Sequence, residues 1–216
     1  MKNVVLIKPC TLADEDQLIN YFCIYFSPMK HLLLTSAFVL SLYSLSLAQA
    51  SRLPPVDKSV LDISYYPMNF PILKVQDKAT EPLFARVIYS RPMKGGRTIV
   101  GDLLEYGTIW RMGANEATEL ELYRDATLQN TRVKKGRYTL YAIPQKDKWT
   151  IILNKENDTW GAFKYDIKKD VARAEVKPEK QSEPTEALTI YFEKSSKFIN
   201  LLVFWDDFKL TIPFTL

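Results

Sequence analysis

Phe208-Lys209-Leu210-Thr211-Ile212-Pro213-Phe214 puts an apolar residue at every second position. A chain with that period turns one face to a core and the other to water, as a half-buried strand does; a helix would need a period near 3.6. Thr118-Glu119-Leu120-Glu121-Leu122 has the same rhythm. Further strand-like runs occupy Phe84 to Tyr89, Arg137 to Ile143, Trp149 to Leu153, Val171 to Val176, Leu188 to Phe192 and Phe198 to Trp205, at spacings that suit an all-β domain. No long stretch keeps a helical period. Pro144 to Lys148 reads as a hairpin loop, Asp206-Asp207 as a two-residue turn, and Gly136 as a position open to positive φ, while Pro213 lacks a ladder donor and marks an edge strand. Many short antiparallel strands with one apolar face close most readily as two packed sheets. The expected fold is therefore all-β, an antiparallel β-sandwich, with a barrel-like closure as the alternative.

Ahead of these strands, Met29-Lys30-His31 is followed by an apolar stretch from Leu32 to Leu47 and by Ala48-Gln49-Ala50. A short basic start, an apolar stretch below the roughly 20 residues of a membrane span, and small residues at the end make a signal peptide. The expected organisation is a signal peptide over 29–50, a flexible lead-in over 51–60 with Pro54-Pro55, and one β-sandwich domain over 61–216. Residues 1–28 carry Asp14-Glu15-Asp16, which does not suit a signal peptide; Met29 is the expected initiator, with a cytoplasmic extension on a signal anchor as the alternative. No cysteine follows the apolar stretch to take a lipid. The mature chain is thus expected to lack a transmembrane anchor and to be periplasmic or secreted.

Cleavage at Ala50 would remove Cys10, Cys23 and His31, the only cysteines and the only histidine. A chain from Ser51 onward then has no Cys or His nucleophile-base pair, no Ser-His-Asp triad, no disulfide and no zinc or copper site of N/S ligation. No metal and no cofactor is expected. Asn154, Asn157 and Asp158 offer oxygens, but without EF-hand spacing and with Lys155 among them. A phosphate-binding glycine loop is absent. The net charge of +4 is mild, and the basic residues from Lys164 to Lys180 are interleaved with acidic ones, so a nucleic-acid partner is not expected.

Two segments are neither strand nor simple turn, Arg91 to Asn115 and Lys155 to Asp170. Loops this long within a compact domain are usually functional or poorly ordered. In the first, Arg111 offers a planar fork for a carboxylate or phosphate, with Asn115 and Glu116 to hydrogen-bond a ligand. On the structural alternative, Trp110 plugs the core, Gly113 and Asn115 take turn conformations, and an Arg111–Glu116 pair ties the loop down. In the second, Trp160 with Tyr165 and Asp166 would suit a sugar ring, or else would pin the loop. Tyr106 and Arg91 are available to either loop. Without histidine, acid-base chemistry would fall to carboxylates, with Glu116 and either Asp166 or Glu105 as the candidate pair.

Trp110-Arg111-Met112-Gly113-Ala114-Asn115-Glu116-Ala117-Thr118 resembles the signature of the bacterial exported family known as domain of unknown function 2911. Tyr89-Ser90-Arg91-Pro92, Gly101 to Gly107, Lys135 to Leu140, Trp149 to Asn154, Trp160-Gly161, Tyr165-Asp166 and Asp170-Val171 match in order and spacing, so that the resemblance covers about Leu73 to Phe192. Met112 stands where threonine is expected and Arg137 where a smaller residue is usual. The resemblance implies an exported protein of Bacteroidetes-like bacteria, and it implies no activity. The expected function is a non-catalytic module that binds a carbohydrate or cell-envelope ligand through Arg91, Trp110, Arg111, Asn115, Glu116, Trp160, Tyr165 and Asp166. The alternatives are a carboxylate-based hydrolase of an envelope polymer and a purely structural envelope protein.

Overall fold

A computed structural model of the chain describes residues 35–41 and 53–216. The described residues belong to two units, divided between Pro55 and Val56. In the first, residues 35–41 are helical and expose Phe38, Val39 and Leu40. Among the described residues no helix is long and apolar enough to cross a membrane. Residues 1–28, the basic start at Met29 with His31, and the Ala48-Gln49-Ala50 end lie outside the described residues.

The second unit contains ten strands in chain order: β1 (Leu61–Tyr66), β2 (Ala85–Ser90), β3 (Glu119–Leu122), β4 (Ala126–Leu128), β5 (Thr131–Val133), β6 (Gly136–Ile143), β7 (Trp149–Asn154), β8 (Asp170–Val176), β9 (Glu179–Lys194) and β10 (Ile199–Thr215). They form two antiparallel sheets, one of order β1-β2-β3-β6-β7-β8 and one of order β5-β4-β10-β9. The fold is a β-sandwich, and neither sheet closes into a barrel. Alternation along the strands builds one shared core, in which Val87, Leu120, Leu140 and Leu153 from the first sheet join Ile190, Val203, Leu210 and Phe214 from the second. Trp149 and Trp205 are fully buried there, and burying side chains of this size contributes about 1.5–3 kcal/mol each.

β7 departs from simple alternation, with Ile151, Ile152 and Leu153 all buried. Both of its faces are covered. The outer face carries a second, smaller cluster of Ala117, Tyr141 and Ile152, packed by Ile109, Ala162 and Tyr165. Those covering residues come from the two long connections, which are therefore folded against the outside of the six-stranded sheet.

One expectation needs correction. Asp206-Asp207 is not a turn: β10 runs straight through it, with register shifts on either side of Asp206 and a left-handed φ of 51° there. The bulge turns the Asp206 carboxylate onto Lys94 and the Ile99 N–H, so a pair of acids that looks like a turn anchors the β2–β3 connection instead. Within the signature the left-handed residues are Met112 and Asn115, both at 55°. Pro213 lies beyond Lys209, the last β10 residue paired with β9, where β10 has a neighbour on one side only, so locally it does sit at an edge.

Candidate functional site

Trp110 and Thr118 occupy the same edge of β6. Trp110 exchanges two backbone hydrogen bonds with Ala142, at 2.7 and 2.9 Å, and Leu140 N–H donates to Thr118 O at 2.8 Å. Residues 111–117 are thus an excursion that leaves the sheet and returns to it two positions along. Three bonds close it: Thr118 N–H to Arg111 O at 3.0 Å, Thr118 Oγ1 to Met112 O at 2.7 Å, and Trp110 Nε1 to Gly113 O at 3.3 Å. Gly113 is needed for close approach, because a Cβ there would lie 3.2 Å from Thr118 Oγ1 and 3.3 Å from Ser90 O.

The second long connection meets this excursion directly. Ala117 N–H donates to Thr159 O and Gly161 N–H donates to Asn115 O, each at 2.9 Å, and Glu116 bridges to Trp160. The start of the β2–β3 connection is pinned elsewhere: Met93 bridges to Ala187 of β9, Lys94 N–H reaches Glu186 O at 2.7 Å, and Lys94 pairs with Asp206.

Between these pinned segments lies a cleft of about 750 Å³, within the range of small-molecule sites. Its walls are largely apolar, with Met93, Leu103, Leu104, Ile109 and Ala162 arranged around Trp110 and Trp205. The two indoles stack at 5.9 Å and 19° and are almost wholly buried, so their faces are already used. Three cations line the cleft, Lys58, Arg97 and Arg111, against Glu105 as the single carboxylate among the described lining residues.

Arg111 differs from its neighbours. It is half-buried, its Nε is sealed from solvent without a hydrogen-bond partner, and no ion pair or side-chain hydrogen bond engages it among the described residues. Burial alone lowers its pKa from the ordinary arginine value, yet a guanidinium stays protonated at neutral pH. The Arg111–Glu116 tie is not formed; Glu116 is exposed. By contrast, Arg97 already donates to Lys94 O at 2.8 Å and Met93 O at 2.5 Å.

Of the other candidate binding residues, Trp110 lines the cleft and Arg91, Asn115, Glu116, Trp160, Tyr165 and Asp166 do not. Arg91 bonds to Leu188 O at 3.1 Å, Asp62 at 3.1 Å and Thr189 Oγ1 at 2.9 Å, tying one sheet to the other. Asn115 Nδ2 donates to Asp57 at 2.9 Å. Trp160 is 61% exposed. Tyr165 donates to Asp170 at 2.6 Å and accepts from Arg173 at 2.7 Å, with its pKa pushed up to about 12, first by burial and then by the Asp170 bond. Asp166 accepts from Lys168 N–H at 2.9 Å and so caps the 3-10 turn at Ile167–Lys169. Asn154 is consumed in bonds to Asp166 O and Asp170, and among the described residues no group of three or more His, Cys, Asp or Glu is placed to hold a metal.

Sequence reasoning missed Lys58, Arg97 and Trp205. Lys58 stands in an apparent linker, Arg97 follows Gly95-Gly96 in a loop without period, and Trp205 reads as an ordinary strand residue; only tertiary structure brings them to Arg111. A family model described as "Protein of unknown function (DUF2911)" matches residues 74–214. Neither a curated protein nor a solved structure matches the chain.

Proposed function

The chain belongs to the DUF2911 family, and from that premise we propose that it is an exported, non-catalytic binding module that seats a carbohydrate or other cell-envelope ligand in the cleft beside Arg111. One observation carries this reading: a half-buried guanidinium that no ion pair or side-chain hydrogen bond engages among the described residues lines a cleft of about 750 Å³. Burying a cation without a partner costs free energy. A fold that keeps one in a cleft wall gains most from it when a ligand supplies the missing acceptor.

Export is supported by the signal-peptide pattern over 29–50. Mass spectrometry of the periplasmic or secreted product should find an amino terminus within two residues of Ser51; a product that retains Met1 and sediments with membranes would contradict it. The hydrolase alternative finds less support. A two-carboxylate mechanism needs a pair about 5–9 Å apart, and of Glu105, Glu116 and Asp166 only Glu105 lines the cleft.

Retention of protein-free envelope fractions on the immobilised chain tests the binding reading. Wild type should retain a fraction that Arg111→Gln releases while remaining folded. Equal retention by both proteins, or by neither, would overturn the proposal.

A further inference from the structure

We infer that the cleft is built for an anionic amphiphile, with one carboxylate or phosphate head at Arg111 and an apolar body along the wall of Met93, Leu103 and Ile109. The inference rests on the binding-module reading and names its ligand class. Its first ground is the sign of the site. Lys58 and Arg97 stand in the same cleft as Arg111, against Glu105 alone. Arg97 has already given hydrogen bonds to two backbone carbonyls, which leaves Arg111 as the guanidinium fork without a partner. Such a fork matches a carboxylate or phosphate through paired, charge-assisted hydrogen bonds.

The second ground is the wall. Met93 and Leu103 are 48% and 45% exposed although both belong to the cleft lining. Apolar groups left in water around a concavity are where an apolar ligand gains most. A neutral sugar fits less well, since it needs exposed aromatic faces and many polar side chains. The cleft indoles are 6% and 1% exposed and stacked on each other, and the exposed Trp160 does not line it.

The test is a titration of the full chain with decanoate, decyl phosphate and decanol below their aggregation concentrations, followed by indole fluorescence, since Trp110 and Trp205 flank the cleft. At least one anion should bind about tenfold or more tighter than decanol, the scale of one charge-assisted contact. The tighter of the two anions identifies the head group. Arg111→Gln should bring both anions down to the decanol level, and Arg111→Lys should restore part of the preference. Thermal melts confirm that each variant is folded. Decanol binding as tightly as the anions, an anion preference that survives Arg111→Gln, or no binding of any probe would overturn the inference. If envelope material is still retained through Arg111 while no probe binds, the amphiphile is wrong and the binding module stands; if nothing is retained either, both fall.

Discussion

Arg91 and Arg111 lie on the same β2–β3 connection and are both half-buried, yet they sit in opposite chemical states. Arg91 spends its guanidinium on Asp62, Leu188 O and Thr189. The Arg111 guanidinium has no such partner among the described residues. Burial removes water from both cations, and at Arg91 the fold itself replaces what was lost, whereas at Arg111 it does not. The difference separates a residue that holds the sheets together from one held available for something else. Exposure alone would not have distinguished them.

The largest effect should come from breaking the satisfied end. Arg91→Ala strands Leu188 O and Asp62 and should cost about 2 kcal/mol in urea unfolding, a figure already discounted because the ion pair is about a third exposed. A loss below about 0.5 kcal/mol, the scale of an ordinary surface substitution, would remove the contrast on which this account rests. Gly113→Ala forces a Cβ against Ser90 O and Thr118 Oγ1 and should cost about 1–2 kcal/mol. It should also loosen ligand retention, because it opens the excursion that carries Arg111. Full retention with unchanged stability would show that the close approach is not needed.

The Arg91 cluster also has a pH signature. Tyr89 donates to Asp62, and its pKa is pushed up to about 12, chiefly by burial; Tyr165 reaches about 12 in the same way. Unfolded tyrosine ionises near pH 10. Because the folded state holds these protons more tightly, their contribution to stability is complete below about pH 10 and is lost as pH rises to about 12. Urea midpoints across that window, read beside tyrosinate absorbance, should fall in wild type and fall less in Tyr89→Phe. Arg111→Gln should leave the shape of that curve unchanged. A flat wild-type curve would mean that neither hydroxyl is held as described.

How far the sequence discloses this molecule depends on range. Strands with one wet face, such as β3 and the end of β10, declare themselves by alternation, since each residue's environment is set by its own place on the pleat. β4 and β5 have three residues each and are too short to show a period. The first half of β9, Glu179 to Glu186, is polar on both faces and reads as loop. Asp206 misled because its carboxylate serves residues more than a hundred positions away. The candidate site divides along the same line. Trp110 and Arg111 stand out as a local motif, but the absence of a partner for Arg111 is a property of three segments meeting, and no spacing along the chain records it.

The smallest stability change is expected where the functional claim is strongest, so the most direct test combines both. Wild type and Arg111→Gln are melted with and without protein-free envelope extract, since a ligand that binds only the folded state raises Tm. The account predicts that the ligand-free Tm of Arg111→Gln is equal to or slightly above that of wild type, because a half-buried, unpaired charge is removed, and that only wild type is shifted upward by the extract. A ligand-free Tm lowered by several degrees, or the same upward shift in both proteins, would contradict it.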